Sequence, residues 1–162
     1  MTLSSPIRRT VLTVHIVASV GLLGDVAAVL AVNLRAAATG DPAFATAAYD
    51  LLGMFSLLFG IPLSLVSLGT GVILGLGSKW GVLRHVWVAS KLVLLLSVIL
   101  VGAFVIGPAT EAMHDGEGGR ETILIGAATY DVLALTLATT LSVFKPRGRL
   151  RSASSSRTFR TT

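Results

Sequence analysis

The chain of 162 residues contains no cysteine, which excludes a disulfide framework, a thiolate metal site and a cysteine nucleophile. Only 13% of its residues are charged and 53% are hydrophobic, whereas about a quarter of the residues of a soluble domain are charged. The G-x-S-x-G, H-E-x-x-H and P-loop motifs are also absent, so the corresponding hydrolase, zinc protease and nucleotide sites are not predicted. We predict no catalytic residues and no metal site, and the sequence favours a non-enzymatic protein.

Four apolar segments are long enough to cross a bilayer, which takes about 20 helical residues. They cover residues 11–34, 51–76, 82–106 and 122–144. The sequence therefore predicts an all-α, up-and-down bundle of four transmembrane helices within residues 1–144. Pro62 lies inside the second segment and removes the hydrogen bond to the carbonyl of Leu58, which predicts a kinked second helix.

Lysine and arginine are distributed unequally between the two predicted sides of the bundle. Arg35 and Arg120 fall on one side, whereas Arg8, Arg9 and most other basic residues fall on the other. The positive-inside rule therefore predicts an inner-membrane protein with both termini in the cytoplasm. This clustering at the ends of apolar segments indicates binding to a membrane, and no nucleic-acid partner is predicted.

Residues 145–162 form a basic, serine-rich tail that is predicted to be disordered, because it has too few apolar residues to bury. Its cations are expected to contact anionic lipids at the cytoplasmic face. The residues nearest the membrane are Lys145, Arg147, Arg149 and Arg151.

Three ionisable residues, Asp25, Lys91 and Asp131, fall inside predicted spans. Counted from the predicted cytoplasmic ends of their helices at 1.5 Å per residue, Lys91 is closer in depth to Asp131 than to Asp25. These depths favour an ion pair between Lys91 and Asp131. The pair could simply fix helix register, or it could belong to a proton or ligand path.

Two histidines, His15 and His85, lie near the predicted cytoplasmic ends of the first and third helices. Similar depth on two helices is the arrangement that would place a haem between two imidazoles, so both are candidate axial ligands of haem b. Histidines near a membrane interface also serve as amphipathic residues without a ligand.

Small residues at four-residue spacing occur in the second helix at Ser67, Gly71 and Gly75. Such a stripe allows two helices to approach closely. We expect it to pack within the bundle, and the alternative is the interface of a homo-oligomer.

Two segments, VHIVASVGLLG at 14–24 and SLGTGVILGLGSKWGVLRHVWVASKLVLLL at 67–96, resemble a family of small actinobacterial integral membrane proteins of unknown function. More distantly, His15 before a small-residue stripe and Lys91 before a leucine run are similar to the copper-resistance D-like superfamily. That superfamily includes a four-helix, haem-containing protoporphyrinogen oxidase. The resemblance implies a haem role for His15 and a substrate or propionate role for Lys91. The chain departs from the oxidase pattern at Ser97 and Val98, where the oxidase has a histidine.

The leading hypothesis is a non-enzymatic membrane bundle of unassigned role, such as an accessory subunit that binds another membrane protein. The first alternative is a haem-binding membrane redox or haem-handling protein. The second alternative is proton-coupled transport by an oligomer through Asp25, Lys91 and Asp131.

Overall fold

The computed structural model describes residues 4–77 and 86–144. Span 1 is the helix α1 (Ser5–Ala37), and span 4 is the helix α6 (Glu121–Phe144). Span 2 consists of α2 (Pro42–Phe55), the π-helical turn π1 (Ser56–Gly60) and α3 (Ile61–Leu76). Span 3 consists of α4 (Val86–Val101), the π-helical turn π2 (Gly102–Ile106) and α5 (Gly107–His114). His85 and the tail from Lys145 onward lie outside the described residues.

All four spans are long and apolar enough to cross a membrane. The predicted all-α fold with four spanning helices is therefore confirmed. We call the side where α1 begins and α6 ends the terminal side, and the side with residues 38–41 and 115–120 the loop side.

Span 2 begins earlier on the loop side than the apolar pattern indicated. The carboxylate of Asp41 accepts hydrogen bonds from the backbone N–H groups of Ala43 at 2.9 Å and Phe44 at 3.4 Å, and Pro42 occupies the first turn of α2. An aspartate cap followed by proline is a strong helix start, so α2 begins about six turns before Pro62, at 3.6 residues per turn.

Each π turn ends two residues before a proline. The N–H of Ile61 donates to the carbonyl of Ser56, and the N–H of Gly107 donates to the carbonyl of Gly102. Pro62 and Pro108 follow these residues. A proline has no N–H to continue the regular ladder, and a π turn accommodates the break without ending the helix.

The spans pack through small side chains and two apolar clusters. Span 1 is central and contacts α2, α3 and α6, while α2 contacts α5 and α4 contacts α6. On the loop side, Ala36, Ala48 and Ala109 are buried together with Tyr49 and Leu124. Small side chains allow this close approach in lipid, where apolar burial alone does not favour association.

Candidate functional site

Asp25 and Asp131 line the same cavity, which has a volume of about 1130 Å³ and is bounded by all four spans. Asp25 lies about 18 Å from the loop-side end of α1, and Asp131 lies about 15 Å from the loop-side start of α6, at 1.5 Å per residue. The hydrocarbon core is about 30 Å thick. The two carboxyl groups therefore lie at similar depth, near the middle of the membrane, on helices that contact each other.

Asp131 is almost fully buried, with 2% of its surface exposed. Its Oδ1 has no hydrogen-bond partner among the described residues. A carboxylate at the bilayer centre costs about 3 kcal/mol even on insertion scales. The position of Asp131 is therefore costly unless a ligand, water or proton satisfies this oxygen.

Asp25 lies beside the π turn of span 2. Its Oδ2 is 3.2 Å from the position that a Cβ atom at Gly60 would occupy, and Ser56 Oγ is 3.8 Å from the same position. A side chain at residue 60 would push against the carboxylate. Gly60 thus lets the π turn approach Asp25 closely and leaves the carboxyl group at the cavity wall.

The loop-side mouth of this cavity is acidic. Asp50 from α2 and Glu111 and His114 from α5 line it, and all three are exposed. The rest of the wall is mainly leucine, isoleucine, valine and glycine. The cavity therefore combines an apolar wall with carboxyl groups at its mouth and at mid-membrane depth.

Lys91 does not form the ion pair with Asp131 that the depth estimate favoured. Within residues 4–77 and 86–144, the single ion pair joins Arg120 and Glu117. The register explains the difference: Tyr130 donates a 2.6 Å hydrogen bond to Ser97, and Lys91 lies about 9 Å further toward the terminal side than Ser97. Lys91 Nζ lies 5.9 Å from the centroid of the Trp87 ring.

His15 belongs to a separate polar cluster between α1 and α3. Its Nδ1 lies 3.1 Å from the carbonyl oxygen of Ser67 and 3.0 Å from Thr70 Oγ1. Thr70 donates its own hydroxyl hydrogen to Val66 at 2.6 Å, so Nδ1 is the donor to both oxygens. Ser19 and Ser67 are linked at 2.9 Å through their hydroxyl groups.

The stripe of small residues on α3 faces this cluster. A Cβ atom at Gly71 would lie 3.1 Å from His15 Cε1, and Ser67 is buried against Ser19. Ser67 and Gly71 therefore contact α1 within the chain. The hydrogen bonds of the His15 ring to Ser67 and Thr70 are made by Nδ1 and not by Nε2.

The sequence predicts a haem between His15 and His85, and the structure does not test this prediction. His15 is not among the residues that line the cavity, and His85 lies outside the described residues. Histidines that bind a metal commonly donate their other ring N–H to a backbone carbonyl, as Nδ1 of His15 does here, so the ring could serve as one axial ligand through Nε2. The predicted pair stays a prediction.

The geometry of four spans around a mid-membrane cavity agrees with the comparison to known families. A family model described as a predicted integral membrane protein, DUF2269, matches residues 9–138. The chain belongs to this family. No curated protein and no solved structure matches it. The membership confirms a small integral membrane protein of unknown function, and the more distant superfamily likeness stays a prediction.

Sequence analysis identified Asp25 and Asp131 but missed most of the wall around them. Gly60, Ser56 and the second π turn escaped notice, as did Asp50 and Glu111 at the mouth. Pro108 was the available signal for the second π turn, since a Gly-Pro pair inside an apolar helix indicates a local break. No local pattern indicates that Gly60 faces Asp25, because that contact joins two spans.

Proposed function

We propose that this membrane protein binds a positively charged organic ligand in the cavity between its four spans. The observation that carries the proposal is the buried, unpartnered Asp131 in the wall that also contains Asp25. Ionisable residues inside a membrane bundle characteristically mark ligand or ion pathways. A cationic group would supply the partner that Asp131 lacks.

The volume and the wall favour an organic cation over a bare metal ion. Small-molecule sites commonly have volumes of about 300–1000 Å³, and this cavity has about 1130 Å³. Its wall is mainly apolar, which suits a ligand with an apolar body and one charged group. No group of three or more histidine, aspartate or glutamate side chains with metal-site geometry occurs within the described ranges.

Two broken helices beside the cavity support a ligand-binding role. Transporters often bind their substrates near the bilayer midplane, where discontinuous helices line the site. Here π1 and π2 contribute Ser56, Gly60, Gly102 and Ile106 to the cavity wall. The proposal covers binding, and it applies equally to a carrier and to an accessory subunit that presents its ligand to a partner.

The test is equilibrium binding of a cationic dye, rhodamine 6G, to the purified protein in lipid nanodiscs, measured by fluorescence polarisation. We expect D131N to weaken binding by about 30-fold or more, because loss of a buried charge partner commonly costs 2–5 kcal/mol. D25N is expected to weaken binding in the same direction. Nile red, an uncharged dye of similar size, reports any general loss of the cavity.

D115N is the matched control, because Asp115 is exposed in the loop and does not line the cavity. It should bind rhodamine 6G like the wild type. Equal affinities for wild type, D25N and D131N would refute the proposal, as would failure of the wild-type protein to bind the cationic dye.

The orientation and lipid contacts belong to the same proposal. The excess of lysine and arginine toward the terminal side supports an inner-membrane protein with both termini in the cytoplasm. In that orientation the acidic mouth with Asp50 and Glu111 faces away from the cytoplasm, and the basic tail contacts anionic lipid.

A further inference from the structure

Spans 2 and 3 contact each other near their two ends and part from each other between them. On the loop side α2 contacts α5, and on the terminal side α3 contacts α4. Between these two contacts lie π1 and π2, which both line the cavity. The cavity wall is therefore interrupted by two irregular turns at the middle of the bundle.

Three apolar residues at this level line the cavity and also have large exposed fractions. Leu57 is 68% exposed and Leu58 is 59% exposed, and Ala103 on π2 is exposed as well. All three contribute to the cavity wall. Side chains that line a cavity and are still this exposed lie at an opening of it, and we call Leu57, Leu58 and Ala103 the lateral window.

We propose that the lateral window opens the cavity sideways into the bilayer and admits an amphipathic organic cation that is dissolved in the membrane. This inference rests on the proposed function and names the ligand class and its route. The window edges are apolar, as an opening into hydrocarbon requires, because polar groups there would be left without partners.

Charge complementarity selects an amphipathic cation over an acyl chain as the occupant. A lipid tail or an apolar helix would fill the window and leave Asp25 and Asp131 without a partner. An amphipathic cation places its apolar body along the leucine-rich wall and its charged group at the carboxyl groups. Its apolar body also concentrates it in the bilayer, next to the window.

The experiment blocks the lateral window in the protein after it has folded, so that a change in the rate of ligand entry cannot come from a failure to fold. The chain has no cysteine, so A103C introduces a single thiol that a bulky aryl methanethiosulfonate can modify and a reducing agent can release. Association of rhodamine 6G with nanodisc-embedded protein is followed by stopped-flow polarisation. We expect modification to slow association by about tenfold, as a modest added barrier does, and reduction to restore it.

Two single-cysteine variants serve as controls. L100C places the same bulky group on the exposed surface of α4 away from the cavity, and E111C places it at the acidic loop-side mouth. Modification of either is expected to leave the association rate of the cationic dye unchanged. Each variant is compared with its own unmodified form, so the loss of Glu111 does not affect the comparison.

The outcomes separate the route from the site. If modified E111C blocks association while modified A103C does not, the ligand enters from water through the loop side; the inference is then wrong, and the charge-dependent site survives. The cavity is an acyl-chain site if two results are found together. Modification of A103C slows the association of Nile red as much as that of rhodamine 6G, and D131N changes the affinity for neither dye. That result overturns both proposals.

Discussion

Single residues explain why this bundle can hold two carboxyl groups at membrane depth. Asp25 is accommodated because residue 60 has no side chain, so that the carboxylate rests against the backbone of π1. Asp131 lies on the buried face of α6, together with Ala128, Ala134 and Leu135. Neither residue forms an ion pair with another described residue.

Replacing Gly71 by alanine tests the close packing of His15 against α3. The new Cβ would lie 3.1 Å from Cε1 of His15, whose ring is held in place by Ser67 and Thr70. We expect G71A to be less stable than G69A by about 1–3 kcal/mol, the usual effect of overpacking. The free energy of unfolding is measured by titration with sodium dodecyl sulfate in mixed micelles.

G69A is the matched control, because a Cβ at Gly69 meets nothing within 4 Å. Its stability should rise by up to about 1 kcal/mol, the helix propensity difference between alanine and glycine. When His15 is also replaced by alanine, G71A and G69A should have nearly the same free energy of unfolding, because the residue that G71A would crowd is then absent. If G71A and G69A have the same free energy of unfolding, the His15 ring can move away from a side chain at residue 71, and the prediction of tight packing is wrong.

At the scale of elements, the two π turns mark the level at which spans 2 and 3 part from each other. They lie between the loop-side contact of α2 with α5 and the terminal-side contact of α3 with α4. In both turns the regular hydrogen-bond ladder is broken close to a proline, Pro62 or Pro108. Such turns are frequent at functional sites.

Replacing Pro62 by alanine tests this role of the π turn. The new N–H at residue 62 can donate to the carbonyl of Leu58 and restore the regular ladder. We expect the variant to be more stable by up to about 3 kcal/mol, the usual penalty of an interior proline, and to bind rhodamine 6G more weakly. Unfolding in detergent and dye polarisation measure the two effects.

P42A is the control for the loss of a proline ring. Pro42 lies in the first turn of α2, where its missing N–H has no partner to lose. We expect this variant to change neither stability nor dye affinity appreciably. Equal behaviour of P62A and P42A would contradict the role that we assign to π1.

At the scale of the whole molecule, the outer surface is that of a protein in lipid. Large apolar side chains are exposed on all four spans, for example Val17, Leu57, Phe104 and Leu133. In water such a surface would associate or aggregate. Polar contacts between spans are correspondingly few and specific, such as those of His15 with Ser67 and of Tyr130 with Ser97.

Orientation is the prediction that belongs to this scale. We expect G40C and G118C, in the two loop-side connections, to react with a membrane-impermeant maleimide in intact cells. S4C, at the terminal side, should react only after permeabilisation, because the basic flank stays in the cytoplasm. All three sites are exposed, and the natural chain has no cysteine. The opposite pattern would reverse the orientation, and different behaviour of G40C and G118C would contradict four spans.

Much of the fold could be predicted, whereas the site could be predicted only in part. The four spans follow from hydropathy, yet the second π turn was not predicted, because the apolar pattern of the third span ends at residue 106 and Pro108 follows it. The Lys91–Asp131 pair was wrong because the depth of Lys91 was counted from residue 82, without the contact between Tyr130 and Ser97 that sets the register of α4 against α6.

The sequence by itself determined that this chain crosses a membrane four times and carries aspartates at mid-depth, because hydropathy and helix length are sums over consecutive residues. Only the tertiary structure decided that Asp25 and Asp131 share one cavity while Lys91 lies elsewhere. Rotation and register of each helix depend on contacts between distant residues, such as Gly60 with Asp25 and Gly71 with His15. Those contacts have no counterpart in any local pattern of the chain.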